Sequence, residues 1–187
     1  MIDVAHHSYA AKKTIDGRGL VLAPGFIDVH THARRAILEI PTGENYARQG
    51  VTTLIEGPDG SSPIPLRAYL EQVGKVKTSV NFGAFIGQGS IRESVIGPNN
   101  RRPSALELSR MLEITRQGMR DGAFGLSTGL FYVPGTFTPT EEVTALAKAE
   151  SDERVKGLYL RVGGGGISGA QAQEIRAALK AFKAKGK

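Results

Sequence analysis

The chain has 187 residues, 40% hydrophobic and 22% charged, a composition that suits one soluble, globular core. It contains no cysteine, which excludes a disulfide frame, thiolate catalysis and cysteine-ligated zinc, so any metal must be held by histidine and carboxylate. The net charge of +6 is not a nucleic-acid footprint: without Arg176, Lys180, Lys183, Lys185 and Lys187 at the C-terminus, 19 basic face 18 acidic side chains, with no basic stripe interleaved with aromatics.

Met1–His7 shows no basic segment leading into an apolar run, and no apolar stretch approaches the ~18 residues of a membrane span. The expectation is a cytoplasmic protein with neither a membrane nor a nucleic acid as partner. From Leu20 onward, β-rich runs alternate with helical patterns. Strands are predicted over Gly25–His30, Val51–Ile55, Val80–Ile86, Ala123–Leu126 and Gly157–Val162. Helices are predicted near Asn45–Gln49, Pro65–Val76, Ser104–Arg120, Thr140–Ala149 and Ala170–Lys183. This alternation predicts an α/β fold with a mainly parallel sheet. The Ser104 helix is the clearest: Ser104 is a candidate N-cap with Glu107 three residues on, and Leu108, Met111, Leu112 and Thr115 share a face until Gly122. Thr140, with Glu141 and Glu142 in the first turn, opens another. Two Pro- and Gly-rich segments, Gly57–Pro65 and Gly129–Pro139, each follow a strand, where α/β folds place functional loops.

In Phe26-Ile27-Asp28-Val29-His30-Thr31-His32, the strand period of two sends Asp28, His30 and His32 to one face. Two imidazoles at i and i+2 near a strand exit can reach one divalent ion, and a carboxylate on the same face can orient them. The alternative is a polar strand end with two solvent-facing histidines.

The run Ala23-Pro24-Gly25-Phe26-Ile27-Asp28-Val29-His30-Thr31-His32 resembles the first barrel strand of the amidohydrolase superfamily. Gly50-Val51-Thr52-Thr53, the stretch from Asp121 to Leu130, Phe131–Phe137 and Thr140-Glu141-Glu142 resemble its N-acyl-D-amino-acid deacylase branch. The likeness runs from about Thr14 to Glu150. It implies a partial (β/α) barrel of about five βα units, because a complete barrel takes about 250 residues. It also implies that His30 and His32 bind the catalytic metal, most simply zinc. Asp59, in Glu56-Gly57-Pro58-Asp59-Gly60, falls where that family often places a metal-binding cysteine. Two histidines and a carboxylate suffice for a catalytic zinc with water in the open place. A simple Asp-Gly turn is the other reading of Asp59, with Glu56 as the substitute ligand. Tyr132 matches a position lining the family's substrate pocket, though a Phe-Tyr pair also suits a core.

The implied reaction is metal-dependent hydrolysis of a small acyl compound at an amide C–N bond, or at an ester or lactone, with Asp28, Asp59 or Glu56 as base. The chain departs from the family pattern, which supplies further histidines from the fifth and sixth strands and a catalytic Asp from the eighth. Val162 stands where a further histidine is expected, and the histidines of the chain are His6, His7, His30 and His32, so one copy does not assemble the family's two-metal set.

Asp152–Val162, the following glycines and Ala170–Arg176 are similar to an early strand-helix unit of signal peptide peptidase A, ahead of that family's lysine and serine. The chain therefore reads as a chimera, natural or engineered: a barrel part over 1–150 and a strand-helix unit over 151–187, packed on the same sheet. Gly164–Gly169 also fits G-x-G-x-x-G, but four consecutive glycines suit a flexible crossover turn better than a dinucleotide site.

Gly125-Leu126-Ser127-Thr128-Gly129 matches the G-x-S-x-G elbow of serine hydrolases, which makes an esterase with Ser127 as nucleophile the second hypothesis. Every histidine precedes Ser127, however, and Phe131–Gly135 does not read as the helix an elbow requires. Ser127 is thus expected at a strand end beside the substrate, unacylated and replaceable at little cost. A third hypothesis is an inactive fusion fragment or assembly module. Finally, an open barrel leaves Phe26, Val51, Phe85 and Leu158 uncovered beside free sheet edges, which predicts self-association as a homodimer.

Overall fold

The computed structural model of the chain describes residues 13 and 15–148. The predicted strand Gly157–Val162, the helix Ala170–Lys183 and the peptidase-like unit as a whole lie outside the described residues.

In chain order the elements are β1 (Phe26–Thr31), α1 (Ala36–Glu39), α2 (Glu44–Ala47), β2 (Val51–Glu56), α3 (Leu66–Lys75), β3 (Asn81–Ala84), β4 (Ile86–Gly87), α4 (Gln88–Ile96), α5 (Ala105–Arg120), β5 (Leu126–Ser127), a 3-10 turn (Gly135–Phe137) and α6 (Thr140–Ala147). β1, β2 and β3 form a parallel sheet in that order, and β4 pairs in parallel with β5. The single strand predicted over Val80–Ile86 is divided at Phe85. The amide of Phe85 still donates to Glu56 O on β2 (2.8 Å), whereas the amide of Ile86 donates to Gly125 O before β5 (2.9 Å). One run thus serves a neighbour on each side in turn, as a sheet that curves must.

The strand residues are those that fit a half-buried pleat: Val51, Thr52, Thr53 and Ile55 are β-branched, and Leu54 is fully buried. Leu54, Ala84 and Ile86 meet Ile37, Leu66, Tyr69, Val73, Ile91, Met111 and Leu146 in one core. On α3 the buried side chains are Leu66, Tyr69 and Val73, spaced for a single helix face. α5 begins with the expected capping box: Glu107 N donates to Ser104 Oγ (3.3 Å), and Ser104 N donates to Glu107 Oε2 (2.8 Å). Arg101 grips the same carboxylate at 2.6 and 2.8 Å, and this pairing, helped by the Ser104 amide, holds the Glu107 carboxyl well below the usual range.

α4 is not foreseen by hydrophobic periodicity, because its buried face consists of Gln88, Ile91, Arg92 and Ile96. Arg92 and Glu142 are wholly buried and ion-paired, joining α4 to α6. Arg92 Nη2 also donates to Asn99 O (3.2 Å) and Arg101 O (2.6 Å), while Gln88 Nε2 donates to Glu142 Oε1 (3.0 Å) and Thr138 Oγ1 (2.9 Å). Burial pushes the Glu142 carboxyl up, against the pull of Arg92. Among the described residues no helix is long and apolar enough to cross a membrane.

Candidate metal centre

Parallel strands bring their exits to one end of a sheet, and His30, His32, Glu56, Asp59 and Ser127 lie at or just past such exits. β1 delivers His30 and, one residue past its end, His32. The β2–α3 loop delivers Asp59. The imidazole rings stand edge to face, with centroids 5.5 Å apart. Both Nε2 atoms face Asp59 Oδ2, at 3.3 Å from His30 and 3.6 Å from His32. One nitrogen from each ring and one carboxylate oxygen lie within 4.8 Å of one another. Donors about 2.0–2.1 Å from a tetrahedrally coordinated zinc ion lie about 3.3–3.4 Å from each other, so the two His–Asp59 separations come close to that spacing, and the donor chemistry suits a divalent cation.

The other predicted acids are not part of this group. Asp28 turns Oδ1 to the His30 amide (3.0 Å). The β1–β2 register shifts between Asp28 and Thr31, so the simple alternation that predicts a shared face for Asp28, His30 and His32 does not run through. Thr31 is buried, its hydroxyl 2.8 Å from Tyr46 Oη. Glu56 is buried with Oε1 accepting from Arg34 Nε (2.9 Å) and Oε2 without a hydrogen-bond partner. Arg34 also donates to Ser61 O (2.7 Å), and Tyr69 Oη donates to Arg34 O (3.0 Å). Burial, reinforced by nearby Glu56, pushes the Tyr69 phenol up, so this donor stays protonated. Arg34, unmarked in the sequence, therefore commits Glu56 to a structural ion pair and ties the β1 exit to the β2 loop.

Asp59 occupies the left-handed region, with φ of 57°. Few residues other than glycine adopt it, and Asp is among those that tolerate it best. The turn and the metal-ligand readings of Asp59 are thus compatible: the turn aims the carboxylate. Ser127 closes β5, as expected, and its hydroxyl bonds the β2–α3 loop. It donates to Gly57 O (2.5 Å) and accepts from Gly60 N (3.2 Å). The segment after it is a turn leading to the 3-10 turn, with no helix of the kind a nucleophile elbow opens. Tyr132 is exposed, stacked edge to face on Phe131 at 5.5 Å. It lines a cleft of ≈ 420 Å³ together with His32, Asp59, Ser90, Glu93 and Pro134. Glu93 and Ser90 belong to α4 and were invisible for the same reason that helix was.

The chain belongs to the amidohydrolase family, whose match covers residues 13–185. It is 32% identical to the N-acyl-D-aspartate deacylase of Alcaligenes xylosoxydans xylosoxydans over 152 residues, 69% of this chain and 30% of that one. Among solved structures it resembles the N-acyl-D-glutamate deacylase of Bordetella bronchiseptica complexed with zinc and a phosphonate inhibitor (TM-score 0.67, 25% identity, 83% of this chain and 37% of that one). It also resembles a D-aminoacylase whose binuclear centre is described by one-metal activation and second-metal attenuation (TM-score 0.61, 31% identity, 67% and 31% of the two chains). The chain spans about a third of the length of these relatives.

Proposed function

We propose that this chain forms part of a (β/α) barrel and takes part in metal-dependent hydrolysis of the amide bond of an N-acyl-D-amino acid or a similar small acyl compound. The observation that supports this reading is the approach of His30 Nε2 and His32 Nε2 to Asp59 Oδ2 at strand exits, at 3.3 and 3.6 Å. The names of the relatives supply the substrate class, and zinc is the proposed ion.

His30, His32 and Asp59 would hold the cation, which supplies Lewis acidity toward the acyl carbonyl and lowers the pKa of the water it binds. The two imidazoles contribute neutral nitrogens and leave the charge compensation to Asp59. Asp59 directs Oδ2 at both rings, so Oδ1 of the same carboxylate is the atom to accept a proton from the attacking water. Asp28 Oδ1 accepts from the His30 amide and Glu56 Oε1 pairs with Arg34, so Asp59 is the base in this proposal. Tyr132 presents its ring to the cleft as an apolar wall for the acyl group. Self-association is retained as part of the proposal, supported by the exposure of Phe26, Phe124 and Phe131. A monomeric mass by light scattering at micromolar concentration would remove it.

The test is metal content per chain on tag-free protein, paired with chelator-reversible hydrolysis of an N-acetyl-D-amino acid. His30→Ala is expected to lose both, with metal affinity falling by more than about 100-fold, beyond the range typical of groups that only support a ligand. Undiminished metal content or hydrolysis in that variant refutes the reading.

A further inference from the structure

We infer that Ser127 is a positioning residue that sets the ligand posture of Asp59, an inference that rests on the metal reading above. The Ser127 hydroxyl is used on both sides: its proton goes to Gly57 O, two residues before Asp59, and its oxygen receives the amide of Gly60, the residue after. Ser127 is 9% exposed, and both bonds reach across a sequence separation of 67 to 70 residues, so no local turn preference produces them. They bracket the one residue of the loop that adopts φ > 0 without being glycine.

The strand exit also backs the turn sterically. A Cβ on Gly129 would stand 1.9 Å from Asp59 O, and one on Gly60 would stand 2.7 Å from Gly129 N. The two Pro- and Gly-rich loops therefore lie backbone to backbone, with Ser127 as the hydrogen-bonding joint between them. Without that joint Asp59 can relax toward a right-handed conformation, which would swing its carboxylate away from His30 and His32. Ser62 provides a natural contrast. It is equally buried, its Oγ accepts from Gly87 N (2.8 Å), and it fastens the same loop downstream of Asp59 without bracketing it.

The experiment is a competitive chelator titration of zinc affinity on the full chain, alongside urea denaturation of each metal-free variant. Ser127→Ala is expected to weaken zinc binding by about 10–100-fold, the range of groups that orient a ligand. Ser62→Ala is expected to lower stability comparably while leaving zinc affinity in place. In an Asp59→Ala background the Ser127→Ala effect should vanish, since its route runs through Asp59. Zinc affinity unchanged in Ser127→Ala, or a loss that persists without Asp59, overturns the inference and leaves the metal reading standing. A wild-type chain that binds no zinc overturns the metal reading itself. Hydrogen exchange on the wild-type chain needs no variant to fold: the Gly60 amide should be protected without metal, and free exchange there also overturns the inference.

Discussion

Arg92, Glu142 and Gln88 form one charged cluster, and His30, His32 and Asp59 form another. In the first, the guanidinium reaches a carboxylate and two backbone carbonyls, and both carboxylate oxygens are taken, all at zero exposure of the ion pair. In the second, one ligand atom from each of three residues lies within 4.8 Å of the others, and the side chains are 25%, 70% and 29% exposed. The buried ion pair joins α4 to α6, with Arg92 Nε and Gln88 Oε1 left without a hydrogen-bond partner. The donors that gather beside an open cleft are the ones proposed for an ion and a substrate. Net charge and residue type do not separate these cases; the surroundings of each polar atom do.

The sharpest way to break this contrast is Arg92→Ala, which leaves Glu142 buried without its cation. About 3–5 kcal/mol of stability should be lost in urea denaturation, with the zinc affinity of the folded fraction unchanged. A parallel fall in affinity would show that the two clusters are one. Replacing both partners, Arg92→Met with Glu142→Leu, should cost less than the single change. Next comes Gly129→Ala, where a Cβ cannot coexist with Asp59 O. Overpacking of this kind typically costs about 1–3 kcal/mol, and here it should also reduce zinc affinity because the loop that must yield carries Asp59.

Ser104→Ala removes the α5 cap at a cost of about 1 kcal/mol and should leave the metal centre untouched. The same cap gives the smallest effect, one of pH. Because Arg101 and Ser104 lower the folded pKa of Glu107 beneath its ordinary 4.5, the stabilisation is complete above 4.5 and declines as the pH falls from there toward the folded value. Thermal melts across that acid range should fall less steeply in Glu107→Gln than in the wild type.

The sequence made β1, β2 and the Ser104 helix legible because their periodicity and capping residues are local, whereas the strand predicted over Ala123–Leu126 shares only Leu126 with β5. It also made His30 and His32 legible, since i and i+2 spacing at a strand exit is short-range information. Asp59 needed the family resemblance, for the sequence offers it as a turn residue, and its left-handed conformation leaves the turn and ligand readings compatible. Asp28 was misplaced because alternation assumes a regular strand, and the register shift before Thr31 is set by the neighbouring strand. Glu56 was offered as a base because nothing local reveals that Arg34 closes on it. α4 escaped because Gln88 and Arg92, polar residues buried by distant partners, occupy positions that a hydrophobic pattern reads as solvent. Ser127 was placed correctly at a strand end, but its two bonds join segments far apart in the chain, and no local pattern announces them.

The carboxylate at Asp59 also bears on durability and on which ions the centre prefers. Oxygen is a harder donor than sulfur, so a triad of two imidazoles and a carboxylate gives up affinity for soft ions such as cuprous copper and admits manganese or ferrous iron beside zinc. Carboxylates do not climb the oxidation ladder that ends in sulfonic acid, and this chain has no thiol anywhere to do so. In the proposed centre, a cysteine ligand would be lost to peroxide where the Asp59 carboxylate would not, and that oxygen donor sits on a residue in an uncommon backbone conformation.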